Sequence, residues 1–322
     1  MDQAQIEVRK MEKIDNKKLI RRSNRREIRR KLVDLIKNPY LLIPCLILVL
    51  KCAYILFELY WFTITSFKSP SEFRTDILGL PSTLRWENFS NVLNNFRVKA
   101  TIGNEIVFIG IAEQFLNTLY YCFVGAFVKV LVPCVVAYAV SKFSYKFNIV
   151  LIGTYWVMRL MPVVGTGAAS LKLFSALGLY NNMWLFTIVS NFSYTGNSFL
   201  IFIAVFSGIS NTYREAAAID GASEIIIFFK IILPQVLNVF VILVFSGFSG
   251  NWDNYTTPLL YFPAFPTLSV GIYHLSTTVS GAFSNITTKF AGFLMLSVPI
   301  VIVYWLNRKK ILGKVSMGGL KE

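Results

Sequence analysis

Six apolar runs punctuate this chain, each near the roughly 20 residues that a bilayer's hydrocarbon core demands of a helix. They fall at Leu41–Phe67 and at about 115–141, 148–170, 183–207, 231–252 and 286–306. The pattern predicts an all-α membrane protein of six transmembrane helices. It divides the chain into a basic N-terminal segment at 1–40, a helical membrane domain at 41–307 and a C-terminal tail at 308–322. The stretch Arg21 to Lys31 reads as a helix lying on anionic headgroups. No cleavable signal peptide is read there, because the apolar run after it is too long and lacks a small-residue cleavage site.

Charge then orients the spans. Residues 1–40 hold 13 Lys/Arg against 6 Asp/Glu, the 142–147 turn carries Lys142 and Lys146, and the chain closes with Arg308, Lys309, Lys310, Lys314 and Lys321. With six crossings all three segments lie on one side, and basic loops are retained in the cytoplasm. The long loop at 68–113 has five basic and five acidic residues and no bias. Both termini are therefore expected in the cytoplasm of a multi-pass protein of the cell membrane.

Composition agrees. Of 322 residues, 55% are hydrophobic and 15% charged, against about 25% charged in a soluble domain. The net charge of +15 sits at the ends of apolar segments rather than along a groove, which argues against nucleic acid. Cys45, Cys52, Cys122 and Cys134 lie inside apolar stretches without CxxC spacing and read as small packing residues. His274 has no Cys, His or carboxylate neighbours in sequence and reads as a loop residue, so no metal or cofactor site is expected.

Four charges interrupt the spans: Lys51 and Glu58 in the first, Lys129 in the second and Arg159 in the third. Such residues cost about 2.5–3.5 kcal/mol at the bilayer centre on insertion scales and normally face a bundle interior or a wet path. Lys51 and Glu58 are seven apart and share a helical face. A substrate pathway, a subunit interface, and snorkelling or a structural ion pair all remain open for the four.

Between the fourth and fifth spans lies EAAAIDGASEIIIFFKIILP, Glu215 to Pro234. Glu215 and Ala216 to Ala218 are helix formers, Asp220 and Gly221 interrupt them, and Gly221 suits a bend at positive φ. A second short helix is expected from Ser223, burying Ile225, Phe228, Phe229 and Ile232. Leu233-Pro234 then opens the next span, where proline is tolerated in the first turn. The segment offers no nucleophile, acid–base pair or phosphate loop, so no catalytic residue is assigned. An alanine patch beside a glycine turn suits close docking of another protein.

This segment resembles the coupling loop of ATP-binding-cassette (ABC) importer permeases. Glu215, Ala216, Ala217, Asp220, Gly221, Ala222, Ile231, Leu233 and Pro234 match in register, while Asn238 stands where carbohydrate members often carry proline. Weaker elements appear in the expected order: SFKSPSEF at 66–73, NTL at 117–119, AYAVSKF at 137–143, LGLYNN at 177–182, Trp252-Asp253-Asn254-Tyr255, and the tail GKVSMGGLKE. Together they resemble the second permease of maltose-type carbohydrate importers.

The resemblance implies a non-catalytic subunit with a coupling loop at 208–232, forming half of a carbohydrate pathway. It implies a second, homologous permease, a dimer of ATPase subunits that hydrolyses ATP, and an extracytoplasmic solute-binding protein. It places ATPase coupling on Glu215, Ala216, Ala217, Asp220, Gly221, Ala222, Leu233 and Pro234, with a further ATPase contact at Met317, Gly318 and Gly319. Trp252, Asp253 and Asn254 join the four intramembrane charges as pathway or interface candidates, and the 274–288 loop faces the binding protein. A secondary transporter is disfavoured by the lack of internal repeats or paired broken helices. A membrane-embedded enzyme is disfavoured by a lone histidine and the lack of a carboxylate cluster. Amino-acid, polyamine and metal permeases are the nearest competitors.

Overall fold

The computed structural model describes residues 39–312 except 104, 162–164 and 278–283. The Arg21–Lys31 helix, the tail residues Met317, Gly318 and Gly319, and much of the 274–288 loop therefore lie outside the described residues. The chain divides into two compact units, residues 1–64 and 65–322.

In the first unit, α1 (Pro39–Ser66) runs on as far as Ile64. It is apolar all round and its side chains are almost all exposed. A helix of that kind suits a hydrocarbon environment. Lys51 is exposed, and Glu58 is half-buried and hydrogen-bonded one turn back to Tyr54.

The second unit starts with two short helices, α2 (Pro70–Thr75) and α3 (Glu87–Asn95). An antiparallel hairpin comes next, β1 (Arg97–Ile102) and β2 (Glu105–Gly110), paired from Arg97↔Gly110 to Ile102↔Glu105. This hairpin departs from the all-α expectation. Its signal is the Gly103-Asn104 dipeptide between two strand-like runs, with Gly103 at φ +63°. The loop reading of 68–113 missed it.

Helix α4 (Ile111–Lys142) has 32 residues, about 48 Å at 1.5 Å per residue. Then come α5 (Phe147–Leu160), α6 (Gly167–Ala176), α7 (Met183–Asn191), α8 (Asn197–Ser207) and α9 (Thr212–Ile219). The chain continues with α10 (Glu224–Trp252), α11 (Thr256–Tyr261), α12 (Leu268–Thr277) and α13 (Ile286–Leu312). Among the described residues, four helices, α1, α4, α10 and α13, are long and apolar enough to cross a membrane.

The expected third and fourth spans are not single helices. The first breaks between Leu160 and Gly167, where the sequence holds Pro162, Gly165 and Gly167 and Gly165 takes φ +77°. The other breaks between Asn191 and Asn197. There Ser193 and Thr195 share a 2.9 Å hydroxyl contact, and the Ser193 oxygen accepts from the Thr195 amide. Local side-chain bonds of this sort compete with the helical ladder. His274 also differs from expectation: it lies in α12, half-buried.

Two apolar cores flank the middle of α4 and α10. One gathers Val92, Tyr121, Cys122, Met183, Phe186, Trp252, Phe262, Leu275 and Leu296. The other gathers Cys134, Tyr138, Phe199, Phe202, Phe206, Ala217, Ile227, Phe228 and Phe240. Between them α4 meets α7 and α10 at Gly125, whose missing side chain leaves room for Asn251 and Asn191. Small residues at crossings and polar side chains across them are how apolar helices associate without water.

Candidate functional site

The 212–232 segment is built around one turn. Helix α9 ends in a Schellman arrangement, in which the Gly221 amide donates to the Ala218 carbonyl and the Ala222 amide to the Ala217 carbonyl, each at 3.0 Å. Gly221 takes φ +81°, the left-handed conformation that costs other residues about 1–2 kcal/mol. The bend foreseen at Asp220-Gly221 is therefore present. Ala217 is buried in the second core, whereas Glu215, Ala216, Asp220 and Gly221 are exposed and Ala222 is half-buried.

Beyond the turn the chain departs from expectation. No second short helix ends before Leu233; α10 runs unbroken from Glu224 to Trp252. Residues Ile227–Ile232 form a π-helical turn, and the Leu233 amide donates to the Phe228 carbonyl, five residues back. Pro234 has no amide to donate, and its ring would crowd the carbonyl four residues earlier in an α-helix. The wider π turn absorbs this. It also shifts the buried face: Ile227, Phe228 and Ile232 are buried, while Ile225 and Phe229, expected inside, are exposed. Leu233 is half-buried and Pro234 exposed.

Four residues that sequence reasoning had not assigned here fix the segment to the end of α4. Arg214 pairs with Glu224 across the turn at 2.8 Å, and its guanidinium lies 5.0 Å from the centre of the Phe143 ring. The Tyr138 hydroxyl donates to the second Glu224 oxygen at 3.3 Å. The Lys142 ammonium, at a buried side chain, donates to the Ile209 carbonyl and to Asn211 Oδ1. Tyr138, Lys142 and Phe143 belong to AYAVSKF, so that element and the EAA segment form one block. The signal was present as two motifs, but nothing in either one stated that they touch.

The outer surface of the block is shallowly concave and apolar. Ser210, Thr212, Tyr213, Ala216, Asp220 and Ile231 help line a depression of about 530 Å³. Beside it Ile219 is 86% exposed and Ile225 71% exposed. Two exposed isoleucines thus flank the Gly221 turn beside the depression.

Known proteins share this architecture. A family described as "Binding-protein-dependent transport system inner membrane component" matches residues 103–309. The chain belongs to that family. This inner membrane component is 30% identical over 192 residues to the galactooligosaccharides transport system permease protein GanQ of Bacillus subtilis (strain 168); the match spans 58% of this chain and 65% of that protein, just under two thirds. It is 24% identical to the probable starch degradation products transport system permease protein AmyC of Thermoanaerobacterium thermosulfurigenes, over 82% of this chain and 90% of that one. Its fold matches a chain of a bacterial ABC transporter involved in import of the acidic polysaccharide alginate. That likeness has a TM-score of 0.66 at 19% identity and covers 84% of this chain and 95% of that chain.

The remaining candidate residues of this inner membrane component are scattered. Lys129 is exposed in α4, and Arg159, exposed at the end of α5, donates to Asn197 Oδ1 at the start of α8. Among the described residues, none of Lys51, Glu58, Lys129 and Arg159 is ion-paired with another. Trp252 is packed in the first core, and Asp253 is exposed. Asn254 is a structural knot: it donates to Thr257 Oγ1 at 2.9 Å, and its carbonyl accepts from Ser269 Oγ at 3.0 Å. The NTL element ties α4 to the start of α12, with Asn117 donating to the Pro266 carbonyl and Thr118 accepting from the Leu268 amide.

Proposed function

We propose that this chain is the permease subunit of an ABC importer of carbohydrates, forming half of the translocation path. In this reading it pairs with a second, homologous permease. A dimer of ATPase subunits docks below it and an extracytoplasmic binding protein above it. The carbohydrate class is supported by relatives named for galactooligosaccharides and for starch degradation products. Both termini lie in the cytoplasm, and the two broken helical regions, 147–176 and 183–207, each complete one crossing to give six.

The observation that carries the coupling role is the block around Gly221. Its backbone is locked by the Schellman turn, its base is tied to α4, and Ile219 and Ile225 stand out on either side. An ATPase closing on those isoleucines moves α4, α9 and α10 together. ATP binding then selects between inward- and outward-facing arrangements through its differential affinity for them. Glu215, Ala216 and Asp220 line the docking face; Ala217, Ala222, Leu233 and Pro234 shape the turn and the π segment beneath it.

Ile219→Glu tests this directly. The variant should insert and pair with the second permease, yet lose co-purification of the ATPase and substrate-stimulated ATP hydrolysis. Normal ATPase recovery would remove this surface as the dock. Ligand screening of the cognate solute-binding protein tests the substrate class, and failure of every saccharide to bind would overturn it.

A further inference from the structure

Residues 76–86 form a loop braced by hydrogen bonds among its own polar groups and those just before it, mostly at exposed positions. The Asp76 carboxylate accepts from the Leu78 and Gly79 amides at 3.2 and 2.8 Å. Glu72 Oε1 accepts from both the amide and the hydroxyl of Ser82, at 2.5 and 2.6 Å. Lys68, fully buried, donates to the Asp76 carbonyl at 2.7 Å, and the Arg85 amide donates to the Phe67 carbonyl at 3.1 Å. Its apolar side chains face outward: Leu78, Leu80, Leu84 and Trp86 are 59–70% exposed.

Two independent connections within the second unit tie the loop to the ends of apolar spans. Phe67 directly succeeds the last residue of the apolar span Leu42–Ser66, and its ring packs against Trp86 at 5.0 Å. Helix α3, which the loop leads into, packs against α13: Val92 lies 3.6 Å from the position a Gly292 Cβ would take. Gly292 is within the second turn of the span Ile286–Leu306. The loop thus sits beside the ends of two apolar spans, with exposed Arg74 and Arg85 at its edges. A hydrogen-bonded backbone, outward leucines, a boundary tryptophan and flanking arginines are what the headgroup zone selects.

We infer that the 78–86 loop is an interfacial membrane anchor, its Leu78, Leu80, Leu84 and Trp86 side chains seated among lipid headgroups and upper acyl chains. It rests on the reading of α1 and α13 as spans and fixes where the chain floats along its own axis. A test uses the assembled importer in lipid nanodiscs, with Cys45 and Cys52 replaced by serine. An environment-sensitive fluorophore is attached at Leu80→Cys, and separately at Leu84→Cys and at Val49→Cys within α1. The loop probes should emit blue-shifted light and be quenched more by a doxyl group near the headgroup than by one near the bilayer centre, with no binding protein present. Water-like, unquenched emission at both loop positions overturns the anchor. So does stronger quenching by the deep label, or a shift that appears only when the binding protein is added. The Val49 probe separates the two readings: absence of deep quenching there would instead remove the span assignment.

Discussion

At the scale of single residues, the two positions that matter most near the proposed docking surface act through backbone and buried charge. A Cβ at Gly221 meets nothing within 4 Å, so Gly221→Ala carries only the left-handed penalty of about 1–2 kcal/mol. Its expected effect is faster amide exchange across 217–224 and weaker ATPase association, with global stability lowered by no more than that amount. Lys142→Met leaves the Ile209 carbonyl and Asn211 side chain without their buried donor, a loss of about 1–3 kcal/mol. Limited proteolysis should then open first at 209–214. Glu224→Gln breaks a partly exposed pair and should cost less, about 0.2–1 kcal/mol in thermal unfolding. If Lys142→Met proves milder than Glu224→Gln, the block is held differently from the geometry described.

At the scale of elements, the 76–86 loop depends on carboxylates held ionised. Hydrogen bonds from the Ser82 hydroxyl and then its amide pull Glu72 below the usual carboxylate range, and the Gly79 amide is the first of the groups that do the same for Asp76. A lowered folded-state value means the stabilisation is complete at neutral pH and is lost as pH falls through that value. Exchange of the Ser82 amide should therefore stay slow from neutral pH down through the ordinary carboxylate range and accelerate only below it. Glu72→Gln should be fast at every pH. A wild-type loop that loosens above the carboxylate range would contradict the clamp.

The long elements were legible because twenty apolar residues in a row admit few other readings. The Gly221 bend was legible because glycine is the residue that tolerates it. The breaks at 161–166 and 192–196 were not read, although Pro162, Gly165 and Gly196 stood in plain view, since hydropathy averages over them. The π turn was invisible. It is a compromise between Pro234 and a helix that continues through it, and the proline alone is equally consistent with a fresh helix start. Arg214, Glu224, Tyr138 and Lys142 were missed because their meeting joins segments 67 to 86 residues apart.

For the whole molecule, orientation is the property that charge alone assigned. A cysteine at Arg25 should resist impermeant thiol reagents in intact cells and one at Ser280 should react, in a background freed of Cys45 and Cys52. Labelling confined to Arg25 would invert the topology and move the Gly221 surface out of reach of any cytoplasmic ATPase. Neutralising Lys129 to Met is expected to be mild, because its side chain is exposed in α4 and among the described residues pairs with none of the other three intramembrane charges.

Helix α4 has attachments at both of its ends, to 266–268 through Asn117 and Thr118 and to 209–224 through Tyr138 and Lys142. Pro133 removes one hydrogen bond from its ladder, yet the helix runs through it. It is in effect a beam about 48 Å long, fixed at each tip to a different segment of the chain. Rotating about its midpoint by about 10° displaces both tips by about 4 Å in opposite directions, comparable to a change of one residue in extended chain. Under the proposed coupling role, a closure of a few ångströms at the Gly221 face would be delivered at similar amplitude to the far face without any intermediate relay. A flexible insertion near the middle of α4 should uncouple the two faces while each still binds its own partner.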